Sequence, residues 1–175
     1  GDRCTYWKEG EVKADIPADS LVLGGGAPQY VREAIRPAYL DDVQGFDTGS
    51  LNHPENHNDI LLKLMASPNI ASKRWVHEQY DTTVRTNTVN APGNSDSGLI
   101  RIKGTKKGLA AKTDCNGRYV YLNPRKGGQI AVAESARNVV CSGAKPVAVT
   151  NCLNFGNPYK PEVYWTFKEA LGGMG

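Results

Sequence analysis

An α+β fold, with helices packed on one face of a mixed or antiparallel sheet, follows from three features of this sequence. Four short runs with strand character succeed one another between residues 84 and 122. A helix rich in Ala, Ser and Val follows at 128–142, small enough in its side chains to approach a sheet closely. A second helix, at 161–171, closes the chain, and strands followed by helices that return to one face make a layered α+β domain. At 175 residues there is room for one domain with a core, and 39% hydrophobic with 22% charged residues is ordinary for a globular chain. A net charge of +3 is too mild to argue for a nucleic-acid or membrane-surface protein.

The elements can be justified in order. "RCTYWKEGEVKADI" reads as two strands about a turn at Glu9 and Gly10. Residues 17–54 form a weakly periodic linker, and its "GGGAPQY" lacks the strand before it and the Lys-Ser/Thr after it that a phosphate loop needs. Leu61, Leu62, Leu64 and Met65 give an apolar helical face that Pro68 interrupts and "IASKRWVHEQY" resumes. His53 and His57 are four apart, but Pro54 between them sets His53 ahead of the helix, so they are read as surface residues. "VRTNTV", "GLIRIK", "GLAAKT" and "RYVYL" are the strand candidates, with the basic "KGTKKG" as a solvated hairpin tip. Gly143 is placed to stop the 128–142 helix in a left-handed conformation, and "KPVAVT" reads as a buried strand. The last helix has Pro161 in its first turn and Gly172 beyond its end.

Cys4, Cys115, Cys141 and Cys152 form no CxxC pair and no zinc spacing, and with no export signal they are expected as reduced thiols in a cytoplasmic protein. The absence of an initiator Met and the ending "EALGGMG" are expected of a piece of a longer chain.

The chemistry concentrates in one stretch. On the 128–142 helix Ile130, Glu134 and Asn138 fall in one row, and an unpaired carboxylate buried there would cost several kcal/mol. Two partners fit: Arg137, three residues along, or a hard cation such as Mg²⁺ that takes oxygen ligands. Asp114, in "TDCNGRY", offers a third oxygen-bearing group, and Lys112, Asn116 and Arg118 nearby suit phosphate oxygens. The alternative account of Asn116 and Gly117 is a hairpin turn.

"SPNIASKRWVHEQYDTTVRTNTV", "KTDCNGRYVYLNPRKGGQIAVAESARNVVCSGAKP" and "LNFGNP", in that order, resemble the synthetase chain of the phosphoribosylformylglycinamidine synthase family, strongly over 55–175 and weakly before. The resemblance implies that 1–16 are the last strands of a preceding domain. It implies that 55–175 are most of an aminoimidazole ribonucleotide synthetase N-terminal-like domain, truncated before its "GGNVS"-like loop. It further implies an ATP-dependent carbon–nitrogen ligase of purine synthesis that makes formylglycinamidine ribonucleotide, fed with ammonia by a separate glutaminase subunit. The expected cofactors are Mg²⁺ and ATP or ADP. Asp114, Glu134 and Asn138 match the metal-holding positions of an auxiliary nucleotide cleft, and Asn151 a position near the ATP of the catalytic cleft, where many bacterial relatives carry Asp. None of the family's catalytic histidines falls in this stretch, and neither Cys115 nor Cys152 is assigned a catalytic part. The implied partners are the remainder of the synthetase chain, the glutaminase subunit and a small bridging subunit, with the segment alone expected to pair with a second copy. The alternative is a structural module that holds a nucleotide without turnover. An unrelated RNA-binding domain, resting only on Lys-Arg turns and exposed Tyr, is the third reading.

Overall fold

The computed structural model describes residues 1–21 and 30–175 and resolves two compact units, Gly1–Glu33 and Ala34–Gly175. Gly24–Gly26, the triple glycine set aside as a phosphate loop, lie outside the described residues.

The first unit is the expected hairpin. Strand β1 (Arg3–Lys8) pairs antiparallel with β2 (Glu11–Pro17), in a register running from Arg3 opposite Pro17 to Lys8 opposite Glu11. Glu9 and Gly10 both take positive φ, 53° and 79°, the left-handed pair whose twist suits a two-residue hairpin loop. Across one face, Asp15 accepts from Arg3 Nε at 2.8 Å and from Thr5 Oγ1 at 3.2 Å.

The second unit is mixed α+β with a small antiparallel sheet. It begins with a short helix, α1 (Tyr39–Gln44), inside the stretch expected to be featureless. Its Leu40 is fully buried, which explains the ordering: an apolar side chain taken out of water offsets the entropy of fixing a short turn. Helix α2 (His57–Ala66) starts where Asn56 accepts from Asn58 N at 3.0 Å, so His57 is its first residue and His53 precedes it, as expected. The resumed pattern after Pro68 gives only one turn, α3 (Arg74–His77).

Strands β3 (Gly98–Arg101) and β4 (Gly108–Ala111) form an antiparallel pair. The run "VRTNTV" departs from expectation. Residues 87–89 lie along β3, through Val89 N to Leu99 O and Arg101 N to Asn87 O, but Val84–Thr86 turn in a 3-10 helix with Arg85 at φ 60° and Thr86 at φ 52°. Arg101 donates from Nε and Nη2 to Thr86 O, and Lys103 Nζ to Thr86 Oγ1, so side chains hold a corner that the β pattern alone would have extended.

Two further expectations are corrected. "RYVYL" is helical: α4 (Gly117–Leu122) is capped by Asn116, whose side chain accepts from Arg118 N at 3.0 Å. The Asn-Gly pair thus opens a helix instead of turning a hairpin. "KPVAVT" is extended but in no sheet, with Val147 86% and Val149 65% exposed; no strand among the described residues lies alongside to complete a ladder.

Helix α5 (Pro124–Cys141) follows α4 at once, Asn123 ending one and capping the other by accepting from Lys126 N at 3.0 Å. Gly143 stops α5 as expected, at φ 84°, with Gly143 N bonded to Val140 O and Ala144 N to Val139 O, the paired bonds of a Schellman motif. Helix α6 (Pro161–Met174) starts at Pro161 but runs past Gly172, which is therefore not its stop. The reason is packing. A Cβ on Gly128 would collide with Ala170 O and one on Gly173 with Arg125 O, so α5 and α6 approach backbone to backbone. Among the described residues no helix is long and apolar enough to cross a membrane.

Candidate functional site

The turn after β4 and the middle of α5 meet at Asp114. Its Oδ2 accepts from Asn138 Nδ2 at 3.0 Å and from Ser135 Oγ at 3.2 Å, and Lys112 Nζ stands 3.6 Å from its Oδ1. The Asp114 side chain is only 12% exposed and that of Lys112 30%, so this ion pair is partly shielded from water, and removing one partner would strand the other's charge. Ser135 and Asn138, three apart on α5, straddle the carboxylate, as neighbours on one helix face do.

Of the predicted residues, the structure brings Asp114, Lys112 and Asn138 together and adds Ser135, which spacing did not single out. Glu134 is half-buried, one turn before Asn138 on the same face, and forms no ion pair with Arg137 among the described residues. Asn116 spends its side-chain oxygen on the α4 cap. Arg118 is exposed in the first turn of α4, two residues beyond Asn116. Asn151 is exposed in the extended segment, and no hydrogen bond among the described residues ties it to the Asp114 group. The asparagines after it serve local turns: Asn157 Oδ1 accepts from Tyr159 N at 2.9 Å, and Asn154 Nδ2 reaches Cys152 O at 3.4 Å.

Beside this cluster lies an open cavity of about 510 Å³ whose lining includes Thr82, Thr88, Asp96, Ser97, Lys112 and Thr113. Lys112 belongs to both the cavity wall and the Asp114 ion pair. The loop forming its rim is fixed to α5 through Ser95 Oγ, 3.0 Å from Ser142 Oγ, which in turn donates to Asn138 O at 3.0 Å. Ser97 is 6% exposed, and its hydroxyl, like Asn87 Oδ1, has no hydrogen-bond partner among the described residues. A buried polar atom left unpaired is costly and marks a place where water or a ligand completes the set. Loop 90–97 went unremarked in the sequence because its Asn, Ser and Gly look like any polar connection.

Carboxylate and amide oxygens are the ligand types a hard divalent cation takes. Asp114 and Asn138 bring one carboxylate and one amide together, and Lys112 adds a positive charge beside them. No cluster of three or more His, Cys, Asp or Glu able to hold a metal occurs among the described residues, so an all-protein cage is not what this site offers. Mg²⁺ bound by one or two carboxylates and sharing itself with a nucleotide needs no such cage. In the arrangement observed, Asn138 turns its amide nitrogen toward Asp114; to join Asp114 on a cation it must present its oxygen instead.

Comparison with known proteins places this geometry in context. Residues 94–175 match the family described as AIR synthase related protein, N-terminal domain. The chain is similar to the phosphoribosylformylglycinamidine synthase subunit PurL of Salinibacter ruber, 60% identical over 172 residues, which is 97% of this chain and 22% of that protein. Against the same subunit of Chlorobium luteolum the identity is 61% over 172 residues, 95% of this chain and 21% of the relative. For Chlorobaculum tepidum it is 61% over 166 residues, with 95% and 22% covered. The similarity thus extends through nearly all of the chain, including the first 55 residues where the motifs were weak, while the chain spans about a fifth of the length of these curated relatives.

Proposed function

We propose, from the premise that this chain belongs to the phosphoribosylformylglycinamidine synthase PurL family as the counterpart of one segment of it, that it forms one wall of a magnesium-nucleotide cleft. The protein carrying it is then the ATP-dependent ligase that converts formylglycinamide ribonucleotide, with glutamine as amido donor and water, to formylglycinamidine ribonucleotide. The observation that carries the reading is the convergence of Asp114 and Asn138, from separate elements, in a chain about 60% identical to that synthase subunit over nearly its whole length.

In this reading Asp114 and Glu134 contribute carboxylate oxygens and Asn138 its amide oxygen to Mg²⁺. When bound, the ion neutralises phosphate charge and fixes phosphate geometry. Lys112, 3.6 Å from Asp114 Oδ1, balances that carboxylate and would also be placed to meet a phosphate oxygen. Arg118 offers a planar fork to the same phosphates, and Asn116 holds the turn that presents both. Asn151 donates to the ATP of the catalytic cleft from the segment that follows α5; as an amide it gives hydrogen bonds but no metal charge compensation. The expected setting is cytoplasmic, and the expected partners are the rest of the synthetase chain, a glutaminase subunit and a small bridging subunit.

A second reading, a structural nucleotide-holding and domain-pairing module, is favoured by one observation. Asp114 already accepts from Ser135 and Asn138 and pairs with Lys112, so it would tie the turn to α5 with no ion present. Replacing Asp114 with Ala in the full-length protein separates the two. A required cleft predicts that a purine auxotroph is no longer rescued and that Mg-ADP binding measured by calorimetry falls more than tenfold, about 1.4 kcal/mol. Undiminished growth with weakened Mg-ADP binding would select the structural module, and undiminished growth with unchanged binding would remove Asp114 from the cleft altogether.

A further inference from the structure

The turn that carries Lys112, Asp114 and Asn116 runs straight into α4, and α4 is six residues long. A helix of that length, about 9 Å, does not hold itself together in water, so its orientation is set by what touches it. On one side Val120 lies against the bare backbone of Gly127 at the start of α5, where an added Cβ would come within 2.6 Å. On the other is Tyr39, 82 positions earlier than Tyr121 in the chain. The two rings stack with centroids 4.4 Å apart and planes within 9°, and Tyr39 Oη donates to Tyr121 O at 3.1 Å. That carbonyl lies in the last turn of α4, where helix carbonyls lack partners of their own.

The stretch bearing Tyr39 is itself anchored. Ile35 N donates to Pro161 O at 3.2 Å, Arg36 Nη1 is 2.8 Å from Asp41 Oδ1, and Leu40 beside Tyr39 is fully buried. Burial chiefly, then the nearby Tyr121 and Glu162, raises the Tyr39 pKa above its ordinary 10.0, so the hydroxyl remains a donor throughout the neutral range.

We propose that Tyr39 is a positioning residue: stacked on Tyr121 and bonded to its carbonyl, it fixes α4 and thereby the 112–118 turn on which Asp114 is presented to α5. Its relevance to the reaction rests on the magnesium-nucleotide reading of Asp114. The contact itself does not.

Cys115, exposed between Asp114 and Asn116, reports on that turn, while exposed Cys4, Cys141 and Cys152 lie on other elements. In the full-length protein, iodoacetamide labelling followed peptide by peptide by mass spectrometry gives a rate for each. Tyr39→Leu, which removes the stack and the hydroxyl, is expected to change the Cys115 rate about threefold or more with the other three unchanged. Tyr39→Phe, which keeps the stack, is expected to give a smaller change confined to Cys115. An unaltered Cys115 rate in both variants, or a parallel rise of all four thiols in Tyr39→Phe, would overturn the proposal. Labelling needs no nucleotide, so this failure is distinct from a failure of the cleft reading, which the Asp114 calorimetry decides.

Discussion

Arg85 and Thr86 are the residues whose backbone works hardest against their side chains. At φ 60° and 52°, each sits in the left-handed region that a Cβ disfavours by roughly 1–2 kcal/mol, and Thr is β-branched besides. Charged donors hold them there: Arg101 on Thr86 O and Lys103 on Thr86 Oγ1. Arg85→Gly keeps the Arg101 and Thr86 contacts and relieves the Cβ clash. It is expected to raise stability by about 0.5 kcal/mol in urea unfolding, after the extra freedom of glycine in the unfolded chain is subtracted. Thr86→Gly relieves a similar clash but forfeits the bond to Lys103, so it should gain less. At this scale the site was partly legible. Glu134 and Asn138 four apart announced a common helix face, and Asp114 was drawn to it by residue type. Ser135 escaped notice because a lone serine in a small-residue helix looks like filler until the carboxylate opposite it is seen.

Helices and strands were legible where local signals agreed with tertiary surroundings, and illegible where packing overruled them. The β1–β2 hairpin, the β3–β4 pair and the stop of α5 were foreseen from turn and cap residues, whereas α5 starts at Pro124, four residues ahead of the expected 128, because Asn123 caps it there. The run Arg118–Leu122, with Tyr and Val in alternation, carries the composition of a strand, yet Asn116 caps it as a helix and Val120 lies on Gly127. Strand preference reflects the surface a residue packs on more than its own backbone, and here that surface is another helix. Gly172 misled for a related reason: glycine marks both a helix end and a place where helices touch, and only the neighbour tells which. The close approach of α5 and α6 gives a direct test. Gly128→Ala drives a methyl into Ala170 O and is expected to cost about 3 kcal/mol or more, seen as a fall of roughly 10 °C in thermal unfolding. Gly143→Ala, strained at φ 84° but with open space around it, should cost only about 1 kcal/mol.

Over the whole chain, the described residues bury few apolar side chains, and many large ones face water, among them Trp7, Leu62, Trp75 and Val147. Soluble monomers seldom leave so much apolar surface uncovered, which is what a segment spanning about a fifth of its relatives' length would show if the rest covers it. Released from that cover, unpaired extended backbone such as 145–150 templates association with its own kind. The 175-residue chain by itself is therefore expected to sediment as a dimer, with the dimer fraction rising with concentration; a monomer throughout the accessible range would contradict this. Neither the exposure nor the role of Tyr39 was legible from composition or period. Tyr39 and Tyr121 are 82 positions apart, and a pattern read along the chain sees only neighbours.

Asn123 belongs to two helices at once, ending α4 and beginning α5 with no spacer between. Such an elbow allows no slack. One residue added or removed within α5 between Asn123 and Ser135 would swing the face bearing Ser135 and Asn138 through about 100°, away from the aspartate it meets. Evolutionary or laboratory changes in length should therefore be rejected inside this pair of helices and in the 112–116 turn ahead of it, and tolerated at the exposed tip between β3 and β4.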